Sequence, residues 1–421
     1  MIVQKTIALL RKFKESNVIY IRRDIRRAGT FFHHDNPNFP SVNKLSIEGN
    51  QTFFGYYDKT PFSLDNTKIL GMIAPCGNHP PRTFDTIQIG YFDNDDKKMF
   101  HLLGVTETWC WQQGCRLQWY PDDENTLIIY NTLVNGKYGS AIQDVTTKEI
   151  LNQYQCPVYD IDTKGKWAIS LNFSRLHRLR PGYGYGNLKD ETHHDPCPKK
   201  DGIWRMDLSS GNIELILSLR NIASINPQES MNGATHYINH LSFNPSGTRF
   251  MFFHLWLNKG KRFSRLFSCD YTGDHLYLLE NEGIVSHYSW KSDDELLVFT
   301  YRKHSGSHYY LYKDKTQKKG ILGLNVLKED GHPSFSRDRK WLLTDTYPDR
   351  YSDRKLILFN PEKGIINLGS FFSPPNYRED VRCDLHPRWD REQNWVCFDS
   401  AHEGFRSMYL IDISTIRETY P

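Results

Sequence analysis

Paired cysteines are missing from this 421-residue chain, which has 8 cysteines and none in a CxxC spacing. That excludes a disulfide-stapled scaffold and places the expected protein in the cytoplasm with its thiols reduced. Long apolar runs are missing as well: no stretch approaches the roughly 20 residues of a membrane helix. The apolar piece at 7–10, hemmed in by Lys5 and Arg11, is too short for a secretory signal. A dominant charge is also absent, since 53 basic and 49 acidic residues leave +4. A balance of that kind excludes a protein built to coat nucleic acid. The helix-favouring alternation of Ala, Leu, Glu and Lys is weak throughout.

What the chain has instead is aromatic residues, at 14%, and short apolar runs punctuated by Asp, Asn, Gly and Ser clusters. This is an all-β signature. Only the first 27 residues depart from it, with eight cations against Glu15 and Asp24. They predict a basic helical or extended segment over 1–43, suited to packing on the domain or to peripheral contact with an anionic membrane.

A unit recurs along the rest: an aromatic opening a short strand, a polar turn, then an aromatic and aliphatic strand. It reads QWYPDDENTLIIYN, LSFNPSGTRFMFFH, YSWKSDDELLVFTY and PRWDREQNWVCFDS, among others. Seven copies place their anchor aromatics at Phe62, Trp119, Tyr159, Phe243, Trp290, Phe335 and Trp389. The intervals of 57, 40, 84, 47, 45 and 54 residues suit, apart from the 84, the four-stranded blade of a propeller. Residues 44–421 are therefore expected to form one seven-bladed β-propeller. Its last copy lacks a fourth strand, which KLSIEG near Lys44 is expected to supply.

First strands of propeller blades line the central channel and run in one direction. The residues three before each anchor, Lys59, Arg116, Cys156, His240, His287, His332 and His386, thus predict a ring at one mouth. The competing explanation is that histidine merely caps these strands. The 84-residue interval favours a site, because its excess, 173–201, leaves between the second and third strands of blade three and overhangs the same face. Long loops in compact domains are commonly functional, and this one carries His177, Arg180, Tyr183 and Tyr185 between glycines. Its HHxxC piece (His193, His194, Cys197) is not specific as a zinc signature on its own. Within THYINHLSFNPSGTRFMFFH, His254 is expected to return to the face of His240, giving a clamp for manganese or zinc.

Cationic, imidazole and phenolic groups at one mouth suit an anionic oligosaccharide or polysaccharide. A uronic-acid chain is cut by β-elimination when a base takes the C5 proton, an acid protonates the leaving oxygen, and a cation neutralises the carboxylate. Five blocks, GYYDK, WQQGCRLQW, RLHRLRPGYGYG, DGIWRMDL and HYINHLSFNPSGTRF, give the chain a resemblance to the propeller-fold polysaccharide lyases, the oligogalacturonate lyase and ulvan lyase group. The resemblance implies a lyase with a His base, represented by His240 with His177 in reserve, and a Tyr acid, Tyr183 or Tyr185. It further implies an Arg at the carboxylate, Arg205 or Arg180, and a divalent metal on histidines drawn from His240, His254, His287 and His332. Lys59, Tyr57, Gln113, Arg116, Asn131, Arg180 and His386 are the expected sugar-binding residues. One departure stands out: blade two offers Gln112, Gln113 and Asn131 where a catalytic histidine is sought. Two other classes remain open, a non-catalytic propeller binding glycan or protein, and a glycoside hydrolase, which needs two facing carboxylates.

Overall fold

In a computed structural model the described residues, 18–20, 40–75, 77–97, 99–121 and 126–419, form seven four-stranded antiparallel sheets. Each recurring unit supplies the inner hairpin of one sheet, and the sheets follow one another along the chain as blades one to seven. The ring is closed by Val42–Leu45, which pairs antiparallel with Ser407–Asp412 through Val42↔Ile411 and Leu45↔Met408. The KLSIEG expectation thus holds, with the strand beginning two residues earlier. Residues 1–17 and 21–39, where most of the expected basic segment and its membrane contact fall, lie outside the described residues. No helix among the described residues is long and apolar enough to cross a membrane.

The anchor aromatics have a mechanical reason. The indole N–H of Trp119 donates to the carbonyl of Pro61, that of Trp290 to Ser242, and that of Trp389 to Ser334, at 2.8, 3.0 and 3.2 Å. Each bond crosses from one blade to its predecessor, so the indole, buried in Trp119 and Trp389 and half-buried in Trp290, packs between blades and satisfies its own polar end. Phe and Tyr hold the remaining anchor positions by packing.

Strand alternation fixes which turns share a face. The connections between second and third strands leave on the upper face, where the first strands begin. The longest of these, in blade three, opens with a helix, Phe173–Leu179, capped by Asn172, whose side chain accepts from the N–H of Arg175. The segment is pinned from within. Arg175 donates to the carbonyls of His236, Thr192, Asp195 and Pro196, while Asn172 bonds both Asp190 and Asp201. Gly184, at φ 71°, packs so closely that a Cβ there would meet the Phe173 carbonyl at 2.4 Å. Only glycine fits.

Candidate active site

Three of the seven equivalent ring positions carry left-handed backbone: Arg116 at φ 55°, His240 at 57° and His386 at 44°. Non-glycine residues there cost about 1–3 kcal/mol each and mark constrained sites. In blade four the strain coincides with a register shift between Asn239 and Leu241 that turns His240 toward the axis.

Blade one fills that axis. Between its paired strand Gln51–Phe53 and the bridge at Phe62, eight residues leave the sheet and enter the channel. Gly55, at φ 111°, permits the descent against the backbone of Gln113, where a Cβ would approach to 2.9 Å. Tyr56 then stacks on His240, with ring centroids 5.1 Å apart and planes at 17°, and meets His386 edge-on at 4.9 Å. Tyr57 follows beneath, its hydroxyl bonded to both the N–H and the carbonyl of Tyr288 at 2.9 Å.

Around this plug the imidazoles gather. His287 and His332 lie 4.1 Å apart between ring centroids, and His332 and His386 lie 4.3 Å apart. His332 Nδ1 is 2.7 Å from the Asp345 carboxylate and His386 Nδ1 is 2.8 Å from the Gly55 carbonyl. Acceptors on both Nδ1 atoms fix the proton there and leave each Nε2 with its lone pair free. Neither Nε2 has a hydrogen-bond partner, although both rings are buried. Buried polar atoms are rarely left so.

Asp384 completes the group: ligand atoms of His332, His386 and Asp384 all lie within 4.8 Å of one another. Two imidazole nitrogens oriented by outer carboxylate and carbonyl, plus one carboxylate, is a donor set that fits manganese or zinc. Burial alone would raise the Asp384 carboxyl, but Arg382 and Arg354 outweigh it and hold it well below the usual carboxylate range.

The blade-three segment covers the cluster with Tyr183, whose ring is edge-on to His240 at 5.8 Å. Its hydroxyl accepts from Arg382 Nη2 at 2.7 Å, and the Arg180 guanidinium lies 4.2 Å over its ring. Among the described residues no carboxylate pairs with Arg180, a half-buried cation. His240 offers Nε2 to the Asn239 amide at 3.1 Å and places Nδ1 at 3.2 Å from Tyr159. Burial, followed by Arg180 and His287, pushes its pKa well below the usual imidazole value. The ring is therefore neutral at physiological pH and able to accept a proton.

Other expectations need correction. His254 does not join His240. Its Nε2 pairs with His236 Nδ1 at 2.9 Å and its Nδ1 accepts from Arg265 Nε at 3.0 Å, on the side of blade four that meets the 222–226 segment. Both nitrogens are occupied, so His254 is no metal ligand here. His240 is set apart from His332 by the Tyr56 ring, while His287, bonded to Asp330 at 2.9 Å, stands beside the donor group. Arg205 lies on the third strand of blade three, paired with exposed Glu214 and stacked on Trp167, away from the cluster. Lys59 is carried by the eight-residue insertion to the lower mouth, where it pairs with Asp160.

Arg116 reaches the axis but is bonded on two sides to Asp58, at 2.8 and 3.1 Å, and to the Tyr159 carbonyl. Gln113 donates to the Tyr159 hydroxyl at 2.7 Å. Asn131 and Tyr185 bond each other at 2.8 Å in the core, where Tyr185 stacks flat on Phe173. His177 packs on Gly186 near the outer surface of the covering segment. Sequence reasoning quoted Tyr56 only as part of the GYYDK block, without a role, and assigned nothing to Arg382 or Asp384. It also missed Tyr347, 6.1 Å from both His287 and His332 and, at 36% exposure, the cluster's contact with solvent.

The architecture is a seven-bladed β-propeller, on which two solved oligogalacturonate lyases superpose. An oligogalacturonate lyase in complex with manganese superposes with a TM-score of 0.64 at 16% identity, covering 89% of this chain and 93% of its own. The oligogalacturonate lyase of Vibrio parahaemolyticus gives 0.61 at 12% identity, covering 90% and 95%. No family profile and no curated protein sequence matches the chain. At such identities the likeness establishes the fold.

Proposed function

We propose that this protein is a lyase that cleaves a uronic-acid-containing glycan by β-elimination. The observation that carries the reading is one buried cluster in which a neutral imidazole, a phenol and an unpaired guanidinium adjoin two imidazole nitrogens without partners. In this scheme Arg180 grips the uronate carboxylate, and a divalent metal held by His332, His386 and Asp384 would supply the remaining positive charge that acidifies C5. His240 Nε2, once substrate displaces the Asn239 amide and the Tyr56 hydroxyl from it, takes the C5 proton. The C4–O bond breaks as a C4=C5 double bond forms, and the Tyr183 hydroxyl delivers its proton to the departing oxygen. Arg382, donating to that hydroxyl, stabilises the phenolate left behind.

Burial suits the step, since a low dielectric strengthens each of these charges. It also means that substrate enters only as the covering side chains separate, because the four axial imidazoles are no more than 2% exposed. A hydrolase is disfavoured by the carboxylates: Asp330, Asp345 and Asp384 are each bound by histidine or arginine rather than facing one another across a gap.

The test is incubation of the purified protein, with and without added manganese, with a panel of uronate oligosaccharides under ultraviolet detection. Growth of absorbance from the unsaturated product is expected. Cleavage without that chromophore would identify a hydrolase, and no cleavage of any member would leave the lyase reading without support.

A further inference from the structure

Three seams between blades are closed by the indoles of Trp119, Trp290 and Trp389, each the last residue of its first strand. Blade six has Phe335 at that position, which sends no N–H across and, unlike Phe62 and Phe243, is left half-buried. The seam between blades five and six stays open. It forms a recess of about 310 Å³ on the lower face, floored by Leu322, Phe335, Leu342 and Phe359. Four cations, Lys291, Arg339, Lys340 and Lys363, stand at its rim against one carboxylate, Glu362. Lys291 is shared with Glu295, but among the described residues Arg339, Lys340 and Lys363 make no ion pair. Other acids of these turns are spent: Asp338 pairs with Arg417, and Asp294 with Lys313. Exposed Lys315, Lys318 and Arg337 on the same and adjoining turns carry the positive charge beyond the recess.

We infer that this recess is a docking site for a partner protein, whose acidic segment seats one large apolar side chain in it. The apolar floor holds the anchor, and the unpaired cations select and orient the acidic residues on either side. The form of the surface decides between partners. A recess accepts a projecting side chain, whereas contact with a bilayer needs apolar side chains that project from the protein itself. A glycan chain has charge for the rim but no apolar group for the floor. This face lies opposite the mouth covered by the blade-three segment, so the inference stands without the lyase reading.

Fluorescence polarisation of a short labelled peptide, glutamates around one tryptophan, tests it on the intact 421-residue chain. The same peptide with alanine for tryptophan is expected to bind at least about tenfold more weakly, the loss for one large apolar side chain left unburied. Affinity should fall as salt rises. Arg339→Glu and Lys363→Glu, at exposed positions, should weaken both peptides several-fold. Phe335→Trp fills the recess with the indole that other blades use, and should bring the two peptides to one weak affinity without lowering the melting temperature. Equal affinities for the two peptides on the native chain, a tryptophan preference that survives Phe335→Trp, or affinity indifferent to both charge reversals would overturn the docking site. So would tighter binding of phosphatidylserine vesicles or of a uronate oligomer than of the tryptophan peptide. A protein that forms no chromophore but binds the peptide in this way keeps the docking site and loses the elimination.

Discussion

Two buried histidine clusters in this propeller differ in one respect, the completeness of their hydrogen bonding. In blade four, Arg265 donates to His254 and to the carbonyls of Ile222, Ile225 and Asn226, and His254 pairs in turn with His236. Every nitrogen of His254 and every branch of Arg265 is used. At the axis, His332 and His386 are oriented with equal care through Nδ1, yet their Nε2 atoms meet nothing, and Arg180 beside them has no counter-charge. Each cluster contains a close pair of buried imidazoles, so the presence of paired histidines does not tell them apart. The unspent valences separate a strut from a site.

Breaking the comparison should give effects of different kinds. The largest is expected for Tyr183→Phe and His240→Ala: about 10²–10⁴-fold loss of turnover in the chromophore assay, as for removal of a general acid or base, with near-native melting. Next, Arg265→Ala strips His254 and three carbonyls of their donor, and denaturant unfolding should show about 3–5 kcal/mol lost, with turnover per folded molecule unchanged. If activity instead collapses in the folded fraction, the blade-four relay belongs to the site. Asp345→Asn, which disturbs the orientation of His332 without touching the metal, should weaken manganese binding about 10- to 100-fold by calorimetry. The smallest effect, about 1 kcal/mol of stability and none on rate, is expected for Tyr185→Phe, since its hydroxyl serves only Asn131.

The relay also sets a pH dependence. Burial, then the charges of Arg265 and Arg175, bring His236 down to about 4 from an unfolded value of 6.5, and burial lowers His254 further. The unfolded chain therefore binds more protons than the folded one between these values. Stability is full above about 6.5 and is lost as pH falls toward 4, which a series of melting curves would reveal; a flat profile across that window would show that His236 is charged in the fold.

Much of the architecture was legible in the sequence because it is periodic. Anchor aromatics and Asn/Asp turns repeat at blade spacing, the missing fourth strand in the last copy demanded a partner from the N-terminal side, and the one overlong interval marked the covering segment. Of the site, His240, His287, His332 and His386 followed from equivalence of position. The failures came where equivalence breaks. Eight residues inserted after Phe53 drive Tyr56 and Tyr57 into the channel and displace Lys59 to the other mouth. His254 has the right strand for a clamp, but its nitrogens are consumed by Arg265 and His236, and hydrogen-bond satisfaction is a property of the assembled blade that no spacing encodes. Asp384 gained its meaning only from the two free nitrogens it faces.

The most direct test of the contrast is an anomalous difference map from crystals soaked in manganese. The account predicts a single strong peak among His332 Nε2, His386 Nε2 and Asp384, with none at His236 and His254. A peak at the blade-four pair, or an empty axial cluster at saturating metal, would contradict it.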